Sequence, residues 1–281
     1  MFIATLVAKE RLAAGDISNA CNAVRGSADR IVDDRACDIR FDGDHAAARR
    51  MLELLPEIDI VVQVESERQR RLLVADMDST MITVECIDEL ADYVGLKAEV
   101  SAVTERAMRG EIDFAGALRD RVALLAGLSE ATVAECLRER VKLMGGAVDL
   151  IAAFRANGGK AVLVSGGFTH FTDSVAQEIG FDRAVANRLV IRDGALTGEV
   201  ELPIVDAQTK RDTLLAEAAV LSIPLIATIA IGDGANDIPM IAAAGLGIAY
   251  RAKPKTEAAA DACVRHSSLD VVRYALDLAT I

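Results

Sequence analysis

Four apolar runs constrain the fold of this chain more than any other feature of its sequence. They are RLLVAD (71–76), KAVLVSGG (160–167), ATIAIGD (227–233) and LGIAY (246–250). Nearly continuous apolar runs are typical of strands that are covered on both faces in a parallel sheet. Helical patterns separate the runs, so the sequence predicts an α/β fold with a doubly wound parallel sheet. The chain has 281 residues, 52% of them hydrophobic, and can therefore bury a sizeable core.

Residues 1–66 have a shorter, self-contained pattern that predicts a small α+β domain. FIATLVA, CDIRF and IDIVVQV are predicted strands, DISNACNAV is a predicted helix capped by an Asp or a Ser, and DHAAARRMLELL is a predicted helix capped by Asp44. The polar segment SERQRR (66–71) is the predicted linker. We therefore predict a second, larger domain over residues 67–281.

Two segments of the larger domain have patterns that do not belong to the sheet. Residues 83–146 show helical periodicity only, in CIDELADYVG, AGALRDRVALLAG and ATVAECLRERVKLM. An insertion of this length needs a structure of its own, and we predict a helical cap over the carboxyl ends of the strands. In NRLVIRDGALTGEV, apolar residues alternate around Asp193 and Gly194, which predicts a β-hairpin.

Composition argues against several classes of function. The net charge of −12 and the lack of a Lys/Arg-rich run disfavour nucleic-acid binding. The longest uncharged run, 218–232, is shorter than the roughly 18 residues typical of a membrane span, and the first residues lack the pattern of a signal peptide. Five cysteines without CxxC spacing are typical of reduced thiols. We therefore expect a cytoplasmic protein that binds neither nucleic acid nor membranes.

Acidic residues follow two of the predicted strands. Asp76 and Asp78 come at the end of the first run, and Asp233 and Asp237 come at the end of the third. Ligands of open parallel sheets bind at the carboxyl ends of the strands, so we expect these side chains to converge. Two unit charges about 4 Å apart repel by about 4 kcal/mol at an effective dielectric constant near 20, so the cluster must take up protons or a cation. Ligands that are all oxygens favour Mg²⁺.

A single D-x-D is more often a surface turn or a helix cap, but its recurrence at a second strand end favours a metal site. Ser165, Gly166 and Gly167 follow another strand, where bare main-chain amides can approach an anion. Lys210 lies near a predicted helix start. Glycines after strands and solvated lysines are common, but beside an acidic cluster they indicate phosphoryl binding.

The segments DMDST, VLVSGG and GDGANDIPM, together with Lys210, resemble in order and over residues 72–250 the motifs of the haloacid dehalogenase superfamily of phosphatases. The resemblance implies a Rossmann-like core with a cap. It also implies that Asp76 is the nucleophile that forms an aspartyl phosphate, and that Asp78 is the general acid and then the general base.

By the same resemblance, Mg²⁺ is bound by the Asp76 side chain, the Asp78 main-chain carbonyl and Asp233, and Asp237 orients the outer shell. Phosphoryl oxygens are contacted by Ser165, Gly166, Gly167 and Lys210. Asn236 contributes to the surroundings of the substrate or the metal.

In the cap, Glu85, Met108, Phe114 and Arg121 resemble substrate-binding positions of the phosphoserine phosphatases in that superfamily. The resemblance implies that the substrate is O-phospho-L-serine, whose hydrolysis is the last step of L-serine biosynthesis. Glu85 and Arg121 have the right signs to meet its ammonium and carboxylate groups. Without the resemblance, the residues themselves favour a helix cap for Glu85 and a solvated helix face for Arg121.

Three alternatives stay open at this point. A phospho-acceptor module of the receiver type also combines acids, Mg²⁺ and a lysine, but such modules are shorter and need no cap. A related phosphatase or phosphotransferase would act on another small phosphomonoester. The N-terminal domain, which resembles ACT-like domains in its pattern of elements, would either bind a regulatory amino acid or form a homodimer.

Overall fold

The N-terminal part of the protein is an antiparallel sheet with two helices. In the computed structural model, which describes residues 1–108 and 111–278, this part contains β1 (Phe2–Ala8), α1 (Ala14–Val24), β2 (Ser27–Val32), β3 (Ala36–Phe41), α2 (His45–Leu52) and β4 (Ile58–Val64). The three predicted strands are confirmed. The edge strand β2 was not predicted, because its side chains are mostly exposed or half-buried and it carries no apolar run.

The two predicted helices of this part differ in how they begin. The Asp44 side chain caps α2 and accepts hydrogen bonds from the N–H groups of Ala46 (2.9 Å) and Ala47 (3.1 Å), as predicted. Helix α1 begins before Asp16, with Ala13 at the N-cap position and no side-chain cap. The prediction of an Asp or Ser cap for α1 is therefore wrong.

The core strands and the cap follow in turn. Strand β5 (Leu72–Ala75) leads into the predicted cap, which consists of α3 (Cys86–Tyr93), α4 (Lys97–Met108), α5 (Phe114–Ala123) and α6 (Glu130–Arg140). The chain returns through α7 (Ala147–Ala156), β6 (Lys160–Phe168), α8 (Thr169–Ile179) and β7 (Arg183–Asn187). The predicted hairpin is confirmed as β8 (Leu189–Arg192) and β9 (Ala195–Val200), joined by Asp193 and Gly194, both with positive φ.

The last third of the chain completes the core. It contains α9 (Ala207–Val220), β10 (Thr228–Gly232), α10 (Ile238–Ala243), β11 (Gly247–Tyr250), α11 (Pro254–Glu257), β12 (Ala262–Val264) and α12 (Asp270–Ala275). Short 3₁₀ turns lie at Glu65–Glu67, Leu225–Ala227 and Ala235–Asp237. Among residues 1–108 and 111–278, no helix combines the length and the apolar character that crossing a bilayer demands.

One sheet of ten strands runs through both parts of the molecule, in the order β2-β3-β1-β4-β12-β11-β10-β5-β6-β7. The pairs from β12 to β7 are parallel, and β4 meets β12 in an antiparallel contact between Ile60 and Cys263. Alternate residues of β5 face two different hydrophobic clusters, Leu73 on one side and Leu72 on the other. Helices therefore cover both faces, and the predicted doubly wound fold is confirmed.

Two arginines of the segment SERQRR, which was predicted to be a linker, are held by the rest of the molecule, whereas Ser66, Gln69 and Arg71 are exposed. The Arg68 guanidinium donates to the buried Asp38 carboxylate (2.9 and 3.0 Å) and to the main-chain carbonyls of Tyr274 (2.8 Å) and Ala275 (2.7 Å). Arg70 is only 4% exposed. The division into domains at residue 66 stays a prediction, and the contacts of Arg68 and Arg70 attach the segment to both parts of the molecule.

Candidate active site

Three predicted acids meet where β5 and β10 end. These strands are neighbours in parallel register, with Ala75 opposite Ile231, so the residues that follow them emerge at the same edge of the sheet. One carboxylate oxygen from each of Asp76, Asp233 and Asp237 lies within 4.8 Å of the other two. The sequence pattern of acids after apolar runs thus corresponds to one compact cluster.

Lys210 lies beneath this cluster and is fully buried. It belongs to the first turn of α9, which the Asp206 side chain caps by accepting from the N–H of Thr209 (2.8 Å). The Lys210 Nζ donates to Asp76 Oδ1 (2.6 Å) and Asp237 Oδ1 (2.7 Å). Burial lowers the pKa of Lys210, but the two carboxylates outweigh burial and raise the pKa overall, so the ammonium stays charged.

The acids of the cluster differ in what they can do chemically. Burial, and then the Asp237 charge, raise the pKa of Asp76 well above its usual range and that of Asp233 to about 6. Both carboxylates therefore need a compensating cation in order to be ionised together. Asp237 accepts from Lys210 with one oxygen and from the Gly234 N–H (3.0 Å) with the other, so it fits a supporting position better than that of a direct ligand.

The donor set of this cluster fits a hard divalent ion. Asp76 and Asp233 offer carboxylate oxygens in a partly buried site whose negative charge exceeds that of its single buried ammonium. Mg²⁺ prefers oxygen ligands, tolerates a few carboxylates and keeps several waters. These residues therefore fit the ligand preferences of Mg²⁺.

Asp78 lies two residues beyond Asp76 and lines the same pocket. Its Oδ1 accepts a hydrogen bond from the Cys86 N–H at the start of α3 (3.3 Å). Burial, followed by the Glu85 charge, raises the pKa of Asp78 to about 7. A carboxyl group with this pKa can both donate and accept a proton near neutral pH.

The residues Ser165, Gly166 and Gly167 form the end of β6 beside the cluster. The Ser165 side chain is buried, and its Oγ accepts from the Gly167 N–H (2.8 Å), so this amide is engaged within the strand end and does not point freely into the pocket. A Cβ at Gly167 would lie 3.1 Å from Asp78 Oδ2, and a Cβ at Gly166 would lie 3.2 Å from the Phe114 ring. The glycines thus allow the acids and the cap to approach closely.

The cap places charged and aromatic side chains on the opposite side of the pocket. Glu85 occupies the N-cap position of α3 without capping it, and its Oε1 instead accepts from the Ser79 hydroxyl (2.8 Å). Arg121, in the last turn of α5, lines the pocket, so it does not belong to a solvated face. Burial lowers the pKa of Arg121, and the Asp88 and Glu85 charges act against that effect.

Together these groups enclose a pocket of about 390 Å³. Glu85, Phe114, Arg121 and Asn236 line it, whereas the predicted role of Met108 is not tested, because the structure describes only the backbone of this residue. Eight further residues line the pocket that the sequence did not single out: Ile87, Asp88, Thr104, Leu118, Phe168, Gly234, Ala235 and Lys253. Asp88 follows Glu85 by three residues on α3, a helical spacing that would have indicated a shared face. Lys253 carries no comparable signal.

Comparison with known proteins identifies the family. The profile of the haloacid dehalogenase-like hydrolase family matches residues 73–242. A phosphoserine phosphatase from Albidiferax ferrireducens is 49% identical over 205 residues, which cover 71% of this chain and 86% of that protein. A phosphoserine phosphatase from Vibrio cholerae is 43% identical over 244 residues, which cover 87% of this chain and 74% of that protein.

Solved structures extend the similarity to the N-terminal part. A haloacid dehalogenase family hydrolase from Salmonella enterica serovar Typhi superimposes with a TM-score of 0.90 at 28% identity and covers 99% of both chains. The unliganded probable phosphoserine phosphatase from Vibrio cholerae gives 0.81 at 36% identity, over 98% of this chain and 86% of that one. The chain belongs to the haloacid dehalogenase-like hydrolases and, within them, to the phosphoserine phosphatase family.

Proposed function

We propose that this protein hydrolyses O-phospho-L-serine to L-serine and inorganic phosphate through a phosphoryl group held on Asp76. The observation that carries the proposal is one pocket with two chemically different sides. Asp76 lies against the buried Lys210 ammonium on one side, and Glu85 and Arg121, which have opposite charges, lie on the other. A phosphorylated amino acid has the matching groups, since it presents a phosphate at one end and an ammonium and a carboxylate at the other.

In the first step, an Asp76 carboxylate oxygen forms a bond to phosphorus while the bond from phosphorus to the serine oxygen breaks. Asp78, with a pKa near neutrality, donates its proton to the departing serine oxygen. In the second step, the Asp78 carboxylate takes a proton from a water molecule, whose oxygen displaces Asp76 from phosphorus. One difficult hydrolysis thus becomes two easier displacements, and both carboxylates return to their starting states.

The buried neighbours of Asp76 prepare it for this chemistry. The Lys210 ammonium, 2.6 Å from Asp76 Oδ1, favours the ionised and therefore nucleophilic form of Asp76. Asp237 keeps Lys210 in place from the other side. The Ser165 hydroxyl, already oriented by the Gly167 N–H, has its proton available for a phosphoryl oxygen.

A bound Mg²⁺ would neutralise negative charge on the phosphoryl group and on the carboxylates around it. We propose that Asp76, Asp233 and the Asp78 main-chain carbonyl hold it, with Asp237 and Asn236 in supporting positions. The convergence of the three carboxylates and the raised pKa of Asp233 support this assignment.

The experiment that tests this function is phosphate release from a panel of phosphomonoesters, measured with Mg²⁺ and again with an excess of chelator. We expect O-phospho-L-serine to be the best substrate, and we expect chelation to abolish turnover and added Mg²⁺ to restore it. Efficient turnover of another phosphomonoester with little on O-phosphoserine would favour the alternative of a related phosphatase. A stably phosphorylated protein without turnover would favour a receiver-type module.

The wider setting of the protein follows from this proposal. Hydrolysis of O-phosphoserine would make the protein the enzyme of the last step of L-serine biosynthesis. All five cysteines lie in the described part of the chain and are free thiols there, which supports a cytoplasmic setting. For the N-terminal part, binding of a regulatory amino acid and homodimer formation both stay open, and a serine titration followed by both activity and molecular mass distinguishes them.

A further inference from the structure

Asp59 of β4 holds the loop that follows β12. Its carboxylate is 2% exposed and accepts hydrogen bonds from three consecutive main-chain N–H groups, those of Arg265 (2.7 Å), His266 (3.2 Å) and Ser267 (2.7 Å). Consecutive N–H groups that surround one anion form a nest, and hydrogen bonds to a charged acceptor are stronger than neutral ones. The N-terminal part of the chain therefore fixes the position of this loop.

The other end of the same loop contacts the place where the cap returns to the core. The Leu269 N–H donates to the Gly145 carbonyl (3.1 Å). Gly146 has a φ of +83°, and a Cβ there would lie 2.9 Å from the Asp270 nitrogen. A glycine at this position allows both the left-handed conformation and the close approach of the loop.

The two chain segments that enter and leave the cap are paired with each other. Ile82 and Leu143 form an antiparallel bridge, and the Met144 N–H donates to the Met81 carbonyl (2.8 Å). We call residues 81–83 and 142–146 the cap hinge. Arg251 joins it to the loop after β12, because its Nη2 donates to the Ser267 carbonyl (3.4 Å) and its Nη1 lies 3.9 Å from the Met144 sulfur.

We infer that Asp59 is a positioning residue for the cap. The Asp59 carboxylate fixes the loop after β12, and this loop contacts the cap hinge. The position of the hinge in turn sets how far the cap residues Glu85 and Arg121 lie from the acids at the strand ends. This route connects Asp59 of the N-terminal part to the pocket through main-chain hydrogen bonds of the loop and the hinge. The expected effect of Asp59 on turnover rests on the proposed function, but the expected effect on hydrogen exchange at the hinge does not.

The test uses the full chain with Asp59→Asn, which keeps the size of the side chain but removes the charge and one acceptor. Asp38→Asn is the matched control, since Asp38 is also 2% exposed and lies in the N-terminal part, but it binds Arg30 and Arg68 and not the loop. In hydrogen exchange, we expect amides 143–147 to exchange about tenfold faster in Asp59→Asn and at the native rate in Asp38→Asn.

Steady-state kinetics provide a second measurement. We expect kcat/KM for O-phosphoserine to fall about tenfold in Asp59→Asn and kcat/KM for p-nitrophenyl phosphate, which lacks the amino-acid groups that meet the cap, to change less than about twofold. Equal losses on both substrates, or native exchange at 143–147, would overturn the inference. If the native protein does not hydrolyse O-phosphoserine at all, the proposed function fails, and the exchange measurement still decides about Asp59.

If Asp59→Asn does not fold, Arg251→Asn replaces it. Arg251 is exposed and has a φ of +46°, a conformation that asparagine tolerates. This substitution removes the bridge between Ser267 and Met144 and leaves the buried nest intact. Faster exchange at 143–147 supports the inference, and native exchange there overturns it.

Discussion

The two sides of the pocket are built in opposite ways. On the core side, Asp76, Asp237 and Lys210 are almost completely buried and lie 2.6 to 2.7 Å apart across their ion pairs. On the cap side, Phe114 is 37% exposed, and the hydrogen bond of the Arg121 guanidinium goes to the Ala117 carbonyl of its own helix (3.2 Å). The charges that the proposed mechanism assigns to the phosphoryl group are thus held in place by ion pairs, whereas the groups proposed to select the substrate have fewer fixed partners.

If the core side of the pocket carries the chemistry and the cap side only selects the substrate, Asp76→Asn should lower turnover more than any other substitution. The amide that replaces the carboxylate is a poor nucleophile, so we expect turnover to fall by at least about 10⁴-fold with the fold intact. Phosphate release and circular dichroism are the measurements. Asp193→Asn, in the exposed hairpin turn, is the control and should keep native activity. Appreciable turnover in a verified Asp76→Asn protein would refute the role of the nucleophile.

Lys210→Met tests the core side of the pocket through both stability and activity. It leaves two buried carboxylates without their ammonium, so we expect a loss of about 3 kcal/mol in the free energy of unfolding with chelator present and a fall in kcat of about 10³-fold. Urea unfolding and steady-state kinetics measure the two quantities.

The control for Lys210→Met is Lys160→Met. Lys160 also pairs with a buried acid, Glu217 (2.6 Å), but it is 30% exposed and Glu217 keeps its second partner, Arg183. We therefore expect a loss of about 1 kcal/mol or less and native turnover. Equal destabilisation by the two substitutions would mean that the ion pairs of Lys210 contribute no more to stability than the partly exposed pair of Lys160.

Arg121→Ala tests the cap side. Loss of a partner for the substrate carboxylate should lower kcat/KM for O-phosphoserine about 100-fold, while kcat/KM for p-nitrophenyl phosphate stays within about threefold. Parallel kinetics with the two substrates provide the measurement. An equal decline with both would show that Arg121 supports the pocket as a whole and does not select the substrate.

The smallest effect is expected for Gly166→Ala, where the two sides meet. The added Cβ would lie 3.2 Å from the Phe114 ring, which is partly exposed and can shift by a few tenths of an ångström. We expect KM to rise about threefold with kcat unchanged. In the control, Gly15→Ala, the new methyl group meets no atom within 4 Å, so native kinetics are expected. A hundredfold effect at Gly166 would mean that the cap side is as rigid as the core side.

Local patterns in the sequence were sufficient for most of the strands, for the helical character of the cap and for the convergence of acids at the strand ends, but they did not indicate the short strands β7 and β12. Strands and helices show the regular spacing of their apolar residues, and the acids directly follow apolar runs. Both kinds of pattern can be recognised within a short stretch of sequence. The motifs around Asp76, Ser165 and Asp233 were identified for that reason. The exposed edge strand β2 was missed because it lacks such a period.

Only the tertiary structure decided which distant groups meet. Lys210 is 134 residues from Asp76 and Asp59 is 206 residues from Arg265 along the chain, yet each pair is in direct contact. The polar segment SERQRR resembled a linker because its arginines are hydrophilic, but Arg68 is packed against a buried carboxylate and two carbonyls. Pairing of buried charges depends on how the layers pack on one another, and no local period of the sequence records that packing.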